Sequence, residues 1–446
     1  MSTTQRFRRM PVLRPLARRV HFLAGVLVAP FLVVACLTGL LYVVSPQIHE
    51  GLYAHQLDAE RAAWPIRPLD EQVAAALAGH PEARLDSVVR PADGDRTTWV
   101  NLATPGLGEG ELRTVFVDPY TNYICGELTT IGGRLPANIW LREFHADLHL
   151  GPVGALYTAV AASWLPVILV GGLVLWLVKQ GRRPRTPKTL LTPNLRRLAP
   201  AARWRSAHGA LGLWLVVGLL AIGVSGGLMS RYAAPLVDPN PPRLVTTPLS
   251  PPPGATPISL SRALDAARAA GLEGTLEVHP PAADTQPIRV AERAEGMPMH
   301  RGSIAVDPYT GDTLARIGWE DYSPAAKVAW VARQFHTGQL FGLANQILLG
   351  VLVVGLLALV LSGYRMWWRR SPYGNPLTGA PPTVWRGLGL PRLALVASVT
   401  LLLGLTAPVL GVSLVAFLVV DAVFRRVAAR RTAPRAETPE RQPVHR

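Results

Sequence analysis

The chain has 446 residues, a net charge of +16 and a hydrophobic content of 49%, and its mean hydropathy is +0.23. A strongly basic chain often binds nucleic acid, but here the basic residues stand beside long apolar runs and no groove-reading motif occurs. We therefore interpret the charge as membrane topology. The composition predicts an integral membrane protein whose partner is the lipid bilayer, with no role in nucleic-acid binding.

Four apolar runs are long enough to cross a bilayer as helices, which takes roughly 20 residues. The predicted core spans are 20–44, 151–178, 206–230 and 341–368. A fifth apolar region, 391–424, is interrupted at Thr406-Ala407-Pro408. We predict a hairpin of two short helices there, which would bring the total to six spans.

Basic residues cluster between the spans in a pattern that sets the orientation. The segments that the positive-inside rule places in the cytoplasm are 1–19, 179–205, 369–390 and the disordered tail 425–446. The segments 45–150 and 231–340 then lie outside. The first apolar run is too long for a secretory signal and lacks a convincing cleavage site. We predict a multi-pass protein of the bacterial inner membrane with a cytoplasmic N-terminus.

Each outer segment has the pattern of a small α/β domain. In the second, Ser259 caps an amphipathic helix that ends at Gly271. A helix over 70–78 is the equivalent in the first. The predicted strands are 86–90, 97–102 and 113–117 in the first segment, and 275–279, 287–292 and 302–306 in the second.

Pairs of landmarks recur along the chain at a nearly constant offset. The pairs are His21 and His208, Asp118 and Asp307, and His145 and His336. An offset of about 190 residues in every pair indicates two copies of one unit, made of helix, outer α/β domain and helix. Because each copy begins and ends inside, we predict parallel repeats related by an axis along the membrane normal.

This pattern resembles the PepSY-associated transmembrane family over roughly residues 14–370. The motifs that carry the resemblance are His21 ahead of Gly25, Thr38-Gly39, the Val-Asp-Pro-Tyr-Thr turns at 117–121 and 306–310, the Phe-His-x-x-x-x-x-Gly segments at 144–151 and 335–342, and Ala207-His208-Gly209. Members of the family include iron-regulated inner-membrane proteins and ferric-siderophore reductases that carry b-type haem. The resemblance implies PepSY-like outer domains and this activity.

Four histidines are the candidate ligands that the resemblance and the repeats suggest. His21 and His208 would lie at the cytoplasmic ends of spans one and three, and His145 and His336 at the outer ends of spans two and four. Each pair would supply both axial ligands of one haem, giving two haem b. Bis-histidine ligation suits electron transfer because it leaves no open site. The plainer interpretation is that each histidine is a polar anchor at the headgroup level.

His149 is a second candidate beside His145. It follows His145 by four residues, so a continuous helix would place both on one face. It could be the outer ligand, a partner of that ligand, or a substrate-side group. The second repeat has Leu340 in its place, which favours His145.

We predict a dihaem inner-membrane reductase that passes electrons from the cytoplasmic side to a periplasmic ferric siderophore or other ferric chelate. No Gly-x-Gly-x-x-Gly follows a strand, so the electron donor would be separate, either a quinol or a cytoplasmic reductase. No Cys-x-x-Cys-His occurs, which excludes covalent c-type haem. One alternative is a non-enzymatic PepSY binding or regulatory protein anchored in the membrane. The other is a metal or chelate transporter, against which the spans lack buried carboxylates.

Overall fold

The computed structural model describes residues 13–180, 191–193, 200–233, 240–293, 296–297, 301–369 and 389–432. Most of the predicted cytoplasmic segments lie outside the described residues. The tail 425–446 was predicted to be disordered, but its first part, up to Thr432, is the end of a helix, and the rest lies outside the described residues.

The two halves of the chain share the order span, helix, four strands, helix and span, to which the first half adds two short helices and the second a 3-10 turn. The first half contains α1 (Leu13–Leu27), α2 (Ala29–Val43), α3 (Ser45–Leu52), α4 (Ala54–Leu57), α5 (Leu69–Ala78), β1 (Arg84–Arg90), β2 (Thr98–Ala103), β3 (Glu111–Val117), β4 (Ile124–Ile131), α6 (Pro136–Asp147) and α7 (Gly151–Gln180). The second half contains α8 (Pro200–Met229), α9 (Leu260–Ala269), β5 (Leu276–His279), β6 (Ile288–Glu292), β7 (Ser303–Val306), β8 (Thr313–Ile317), a 3-10 turn (Trp319–Asp321), α10 (Pro324–His336) and α11 (Leu343–Trp368). Two further helices follow, α12 (Leu390–Thr406) and α13 (Pro408–Thr432).

Long apolar helices confirm the predicted class, an α-helical membrane protein. Within the described ranges, α7, α8 and α11 are each long and apolar enough to cross a bilayer, and the bent pair of α1 and α2 is a fourth if the two helices form one span. The apolar parts of α12 and α13, Leu393–Thr406 and Pro408–Val420, are shorter than this. They meet at the predicted interruption, but neither reaches the roughly 20 residues of a full span.

The first span is bent by 58° between α1 and α2, where the sequence predicted one unbroken helix. Pro30 lies in the first turn of α2 and has no N–H for the carbonyl of Val26, four residues earlier. The hydroxyl of Tyr364 on α11 donates to that carbonyl instead, at 3.0 Å. The equivalent position in the third span is Val217, and α8 is continuous.

The four spans form a ring. α1 packs on α7, α7 on α8, α8 on α11, and α11 on α2. The first span therefore faces α8 across the bundle. Apolar side chains fill the centre, among them Leu32, Leu219 and Leu356. α13 packs on the outside of α7, where the indole N–H of Trp164 donates to the hydroxyl of Ser413 at 2.8 Å.

One antiparallel sheet of eight strands, in the order β4-β3-β2-β1-β5-β6-β7-β8, replaces the two separate domains that the sequence suggested. All six predicted strands are present within two residues of their predicted bounds, while β4 and β8 were missed. β8 is short and largely exposed, so it lacks the apolar alternation of a half-buried strand.

The two halves of the sheet meet at β1 and β5, where Val88 pairs with Val278. This pairing removes two open strand edges, which a four-stranded sheet on its own would expose. α5 and α9 cover one face with a common apolar core. The carboxylate of Asp70 accepts hydrogen bonds from the backbone N–H groups of Leu260 and Ser261 at 2.8 and 3.1 Å. A residue of the first half thus caps the helix of the second half.

Candidate functional site

Two histidines meet at the end of the bundle that carries the sheet, and we call His145 and His336 the sheet-side pair. Their ring centroids are 6.3 Å apart, with the ring planes at 33°. The sequence placed both at the outer ends of spans two and four, and the structure separates them from those spans. α6 ends at Asp147 before α7 begins at Gly151, and α10 ends at His336 before α11 begins at Leu343. Each histidine lies on a separate helix, which packs back onto α2 or α8.

The other two histidines, His21 and His208, meet nearer the opposite end of the bundle and form the distal pair. Their ring centroids are 6.2 Å apart, and the ring planes stand at 77°. His21 lies inside α1 and His208 inside α8, so neither begins its helix. Ser225, which contacts the sheet-side pair, also lies on α8. At a helical rise of about 1.5 Å per residue, the spacing of His208 and Ser225 puts the two pairs about 25 Å apart along the bundle.

In the sheet-side pair, each imidazole is held by a hydroxyl group of a neighbouring span. Nδ1 of His145 lies 2.9 Å from Oγ1 of Thr38, and Nδ1 of His336 lies 2.9 Å from Oγ of Ser225. The hydroxyl of Thr38 donates to the carbonyl of Val34. The hydroxyl of Ser225 donates to the carbonyl of Ala221. With its single hydrogen on the carbonyl, each hydroxyl accepts from the imidazole, which assigns the proton to Nδ1.

In the distal pair Nδ1 also carries the proton, but the groups that accept its hydrogen bond differ. Nδ1 of His21 lies 2.8 Å from the carbonyl of Ile168, which can only accept. Nδ1 of His208 lies 2.8 Å from Oγ of Ser362, whose hydroxyl donates to the carbonyl of Leu359. The hydrogen-bond network thus assigns the proton to Nδ1 in all four neutral histidines. In each, Nε2 has a lone pair for a metal.

A glycine lies beside each of the four rings. A Cβ added to Gly172 would come within 2.9 Å of Cε1 of His21. At Gly226 and Gly39, a Cβ would lie 3.0 and 3.2 Å from Cε1 of His336 and His145. Gly363 makes a looser approach to His208, at 3.8 Å. Any larger residue at the three tight positions would push an imidazole from its place.

The histidines of the sheet-side pair are neutral at physiological pH. Both lie on helices outside the spans. Burial, together with the neighbouring His336, lowers the pKa of His145 to about 4. Burial also lowers the pKa of His336 to about 4. A neutral imidazole is the form that binds a metal, so both rings are in the state that ligation requires.

His149 does not lie on one face with His145, as the sequence suggested. The helix ends at Asp147, and Leu148 and His149 have positive φ values of 57° and 55°. The turn directs the His149 ring onto Trp140, with the centroids 4.9 Å apart, while Nδ1 approaches a carboxylate oxygen of Glu143 at 3.5 Å. Of the two histidines, His145 is the one that faces His336.

The ring separations of the two pairs match those of two imidazoles bound to one metal ion. Two imidazoles on one metal ion, with bonds of about 2.0 Å, would have ring centroids about 6.3 Å apart. The observed separations are 6.2 and 6.3 Å. In the part of the chain that the structure describes, no group of three or more His, Cys, Asp or Glu side chains is placed to hold a metal ion. Haem needs only two axial ligands.

The sequence analysis missed the hydrogen-bond acceptors, although the repeat contained the signal. The sequence offset between His21 and His208 also separates Thr38-Gly39 from Ser225-Gly226. A hydroxyl residue followed by glycine thus recurs in the equivalent place, and each of these dipeptides contacts one histidine of the sheet-side pair. The carbonyl of Ile168 could not be found in this way, because any residue has a carbonyl.

Comparison with known proteins identifies one family. The family model described as the PepSY-associated TM region matches residues 18–370. This match includes the four core spans, the complete sheet and all four histidines. No curated protein matches the chain significantly.

Proposed function

Because the chain belongs to the PepSY-associated transmembrane family, we propose that it is a dihaem b reductase of the bacterial inner membrane. It delivers electrons to a ferric chelate, such as a ferric siderophore, in the periplasm. The observation that carries the proposal is the pairing of four histidines at 6.2 and 6.3 Å. The hydrogen bonds of all four leave Nε2 free to bind iron.

In this proposal the two halves of the chain are parallel repeats, and the sheet lies in the periplasm. The positive-inside rule supports the orientation, because the basic segments 1–19, 179–205 and 369–390 all adjoin, in the sequence, the span ends opposite the sheet. The sheet-side pair would then be periplasmic and the distal pair cytoplasmic. Each pair takes one histidine from each repeat, so both repeats are needed for each site.

The four histidines would hold two haems, one for each pair. Bound haem supplies reversible one-electron chemistry at iron, and two axial histidines leave no position for oxygen. The acceptors Thr38, Ser225, Ser362 and the carbonyl of Ile168 keep each ring in one tautomer and one orientation. Such partners raise the basicity of the ligand and fix its direction.

The helix bundle between the two pairs surrounds the proposed path of the electrons with apolar side chains. Its centre consists of buried apolar side chains, including Leu32, Leu219 and Leu356, which exclude water and ions. Moving an electron outward, towards the positive side of the membrane, is favoured by about 2.3 kcal/mol per 100 mV. The membrane potential therefore assists reduction in the proposed direction.

Reduction of the chelate would release its iron. Fe(II) is held less tightly than Fe(III) by the hard oxygen donors of such chelators, so a single electron per ferric ion weakens the complex. A reductase with its terminal centre on the sheet side would deliver this electron where the chelate arrives.

The test is to purify the protein from haem-replete cells and record its reduced-minus-oxidised spectrum. We expect red protein with a b-type spectrum and two haems per chain. In vesicles, reductant supplied only on the distal side should reduce a ferric chelate present only on the sheet side, and an imposed membrane potential that is positive on the sheet side should speed the transfer. Colourless protein from haem-replete cells would contradict the proposal.

A further inference from the structure

Two adjoining cavities open on the outside of the bundle between α8 and α11. The first, of about 390 Å³, borders Trp204, His208, Trp214 and Ser362. The second, of about 570 Å³, runs further along the same two helices towards the sheet side. Leu211 and Ala358 line both cavities, so the two are continuous.

The first cavity is distinct from the gap between the rings of the distal pair. All of its lining residues come from α8, α11 and the segment 191–193, and none comes from α1 or α7, which carry His21 and Gly172. His208 and Ser362 form the wall that it shares with the distal pair. A molecule in this cavity would lie directly beside the proposed distal haem.

The two cavities differ in chemistry. The first has neutral polar groups in an apolar setting, namely the hydrogen-bonded His208 and Ser362, and the indoles of Trp204 and Trp214. The indole N–H of Trp214 donates to the carbonyl of Leu191 at 2.9 Å, which fixes the 191–193 segment over the cavity.

The second cavity is lined only by apolar residues. Gly350 forms part of its floor, and a Cβ there would meet no atom within 4 Å, which leaves a groove along α11. Ile347 and Ser362 lie on α11 at the two ends of the combined cavities. With a rise of about 1.5 Å per residue, they are about 22 Å apart along the helix axis. A small ring at the first cavity and a long hydrocarbon chain along the second would fit these shapes.

We propose that the two cavities bind an isoprenoid quinol, with its ring beside His208 and its tail in the groove, and that this quinol is the electron donor. The inference rests on the proposed reductase function and extends it to the donor. A phospholipid chain would also fit the second cavity. Its phosphate, however, calls for Lys or Arg partners, and none of the described residues that line the first cavity is charged. The guanidinium of Arg365 is engaged with the ring of Trp204, 4.8 Å from its centroid.

The electron balance is simple. Oxidation of one quinol breaks its two O–H bonds, releases two electrons and two protons, and leaves the quinone. The electrons leave one at a time through the distal pair, and two ferric ions each gain one electron. Both protons pass to solvent at the end of the first cavity that Trp204 lines.

The test uses the haem-loaded protein in nanodiscs under anaerobic conditions, with a short-chain isoprenoid ubiquinol as donor. Ala358→Phe places a ring where the two cavities join. Val217→Phe is the matched control, because Val217 is 77% exposed on α8 and lines neither cavity. We expect Ala358→Phe to slow quinol-driven haem reduction about tenfold or more, while the control stays close to wild type. Dithionite should reduce both variants fully.

A binding measurement that needs no turnover completes the test. A photoreactive isoprenoid quinone should label peptides of α8 and α11 in the wild type, and Ala358→Phe should abolish this labelling. Equal quinol-driven rates in the two variants would overturn the proposal, as would labelling that excess phospholipid blocks but excess quinone does not. If ferric reduction by dithionite-reduced protein persists, only the donor assignment fails. Protein without haem would instead contradict the reductase function itself.

Discussion

The sheet-side and distal pairs have nearly the same ring separation but different surroundings. In the sheet-side pair, both histidines lie on short helices outside the spans, both are held by hydroxyl groups, and their planes are 33° apart. In the distal pair, both lie within spans, His21 is held by a backbone carbonyl and His208 by a hydroxyl, and the planes are 77° apart.

Differences between the two halves explain the contrast. Where α11 has Ser362, α7 has Gly171, which has no hydroxyl, so His21 uses the carbonyl of Ile168. The first span bends near Pro30, whereas α8 has Val217 there and continues. Elements at matching positions in the two halves therefore set the separation of the rings. Residues that differ between the halves set the angle between the ring planes.

The largest expected effect comes from filling a glycine position at one pair. Gly226→Leu should push His336 away and abolish haem binding at the sheet-side pair, leaving one haem per chain by pyridine haemochrome assay. Gly227→Leu is the control, because a Cβ at Gly227 meets no atom within 4 Å. Two haems retained by Gly226→Leu, or the loss of one from the control, would refute the role of this close approach.

Removing a hydroxyl acceptor should have a smaller effect. Thr38→Val keeps the shape but leaves Nδ1 of His145 without its acceptor, and we expect haem affinity at the sheet-side pair to fall about 10- to 100-fold. Competition with apomyoglobin would measure this affinity, and Thr38→Ser should preserve it. Ser362→Ala should lose less at the distal pair, because the carbonyl of Leu359 can then accept from His208 as that of Ile168 does from His21. Equal losses in Thr38→Val and Thr38→Ser would rule out the hydroxyl as the cause.

The smallest effect concerns the bend beside the distal pair. Tyr364→Phe removes the donor to the carbonyl of Val26 and should lower the free energy of unfolding by about 1–3 kcal/mol. Thermal denaturation in detergent would measure the loss. Tyr157→Phe is the control, since the carbonyl of Pro30 that Tyr157 contacts lies inside α2 and has a helical N–H four residues later. If Tyr157→Phe lowered the free energy of unfolding as much as Tyr364→Phe does, the hydrogen bond to the carbonyl of Val26 would not be the cause of the loss.

Much of this arrangement was visible in the sequence. The hydropathy pattern predicted the four core spans, and the repeat offset suggested which histidines would meet. Pro30, within the first apolar run, was a visible signal for the bend, but its consequence depends on Tyr364, which lies in the other half of the chain. The pairing of β1 with β5 likewise joins distant segments, which local patterns do not encode.

The helices α6 and α10 show why local patterns misplaced two of the histidines. Each is an amphipathic helix that ends a few residues before an apolar span. The apolar pattern resumes so soon that the Phe-His segments looked continuous with the spans. For His149 the decisive feature is a turn with positive φ at two non-glycine residues. Such backbone is rare outside glycine, so no propensity argument would have predicted it.

The central claim is that each haem takes one ligand from each half of the chain. The most direct test is the haem content and low-temperature EPR spectrum of four single variants, His21→Ala, His208→Ala, His145→Ala and His336→Ala, with His149→Ala as control. Nearly perpendicular ligand planes give a more anisotropic low-spin ferric signal than nearly parallel ones, so the two haems are distinguishable. We expect His145→Ala and His336→Ala to lose the same signal and keep the more anisotropic one, His21→Ala and His208→Ala to do the reverse, and the control to keep both. Loss of different signals by the two members of a pair would contradict the account.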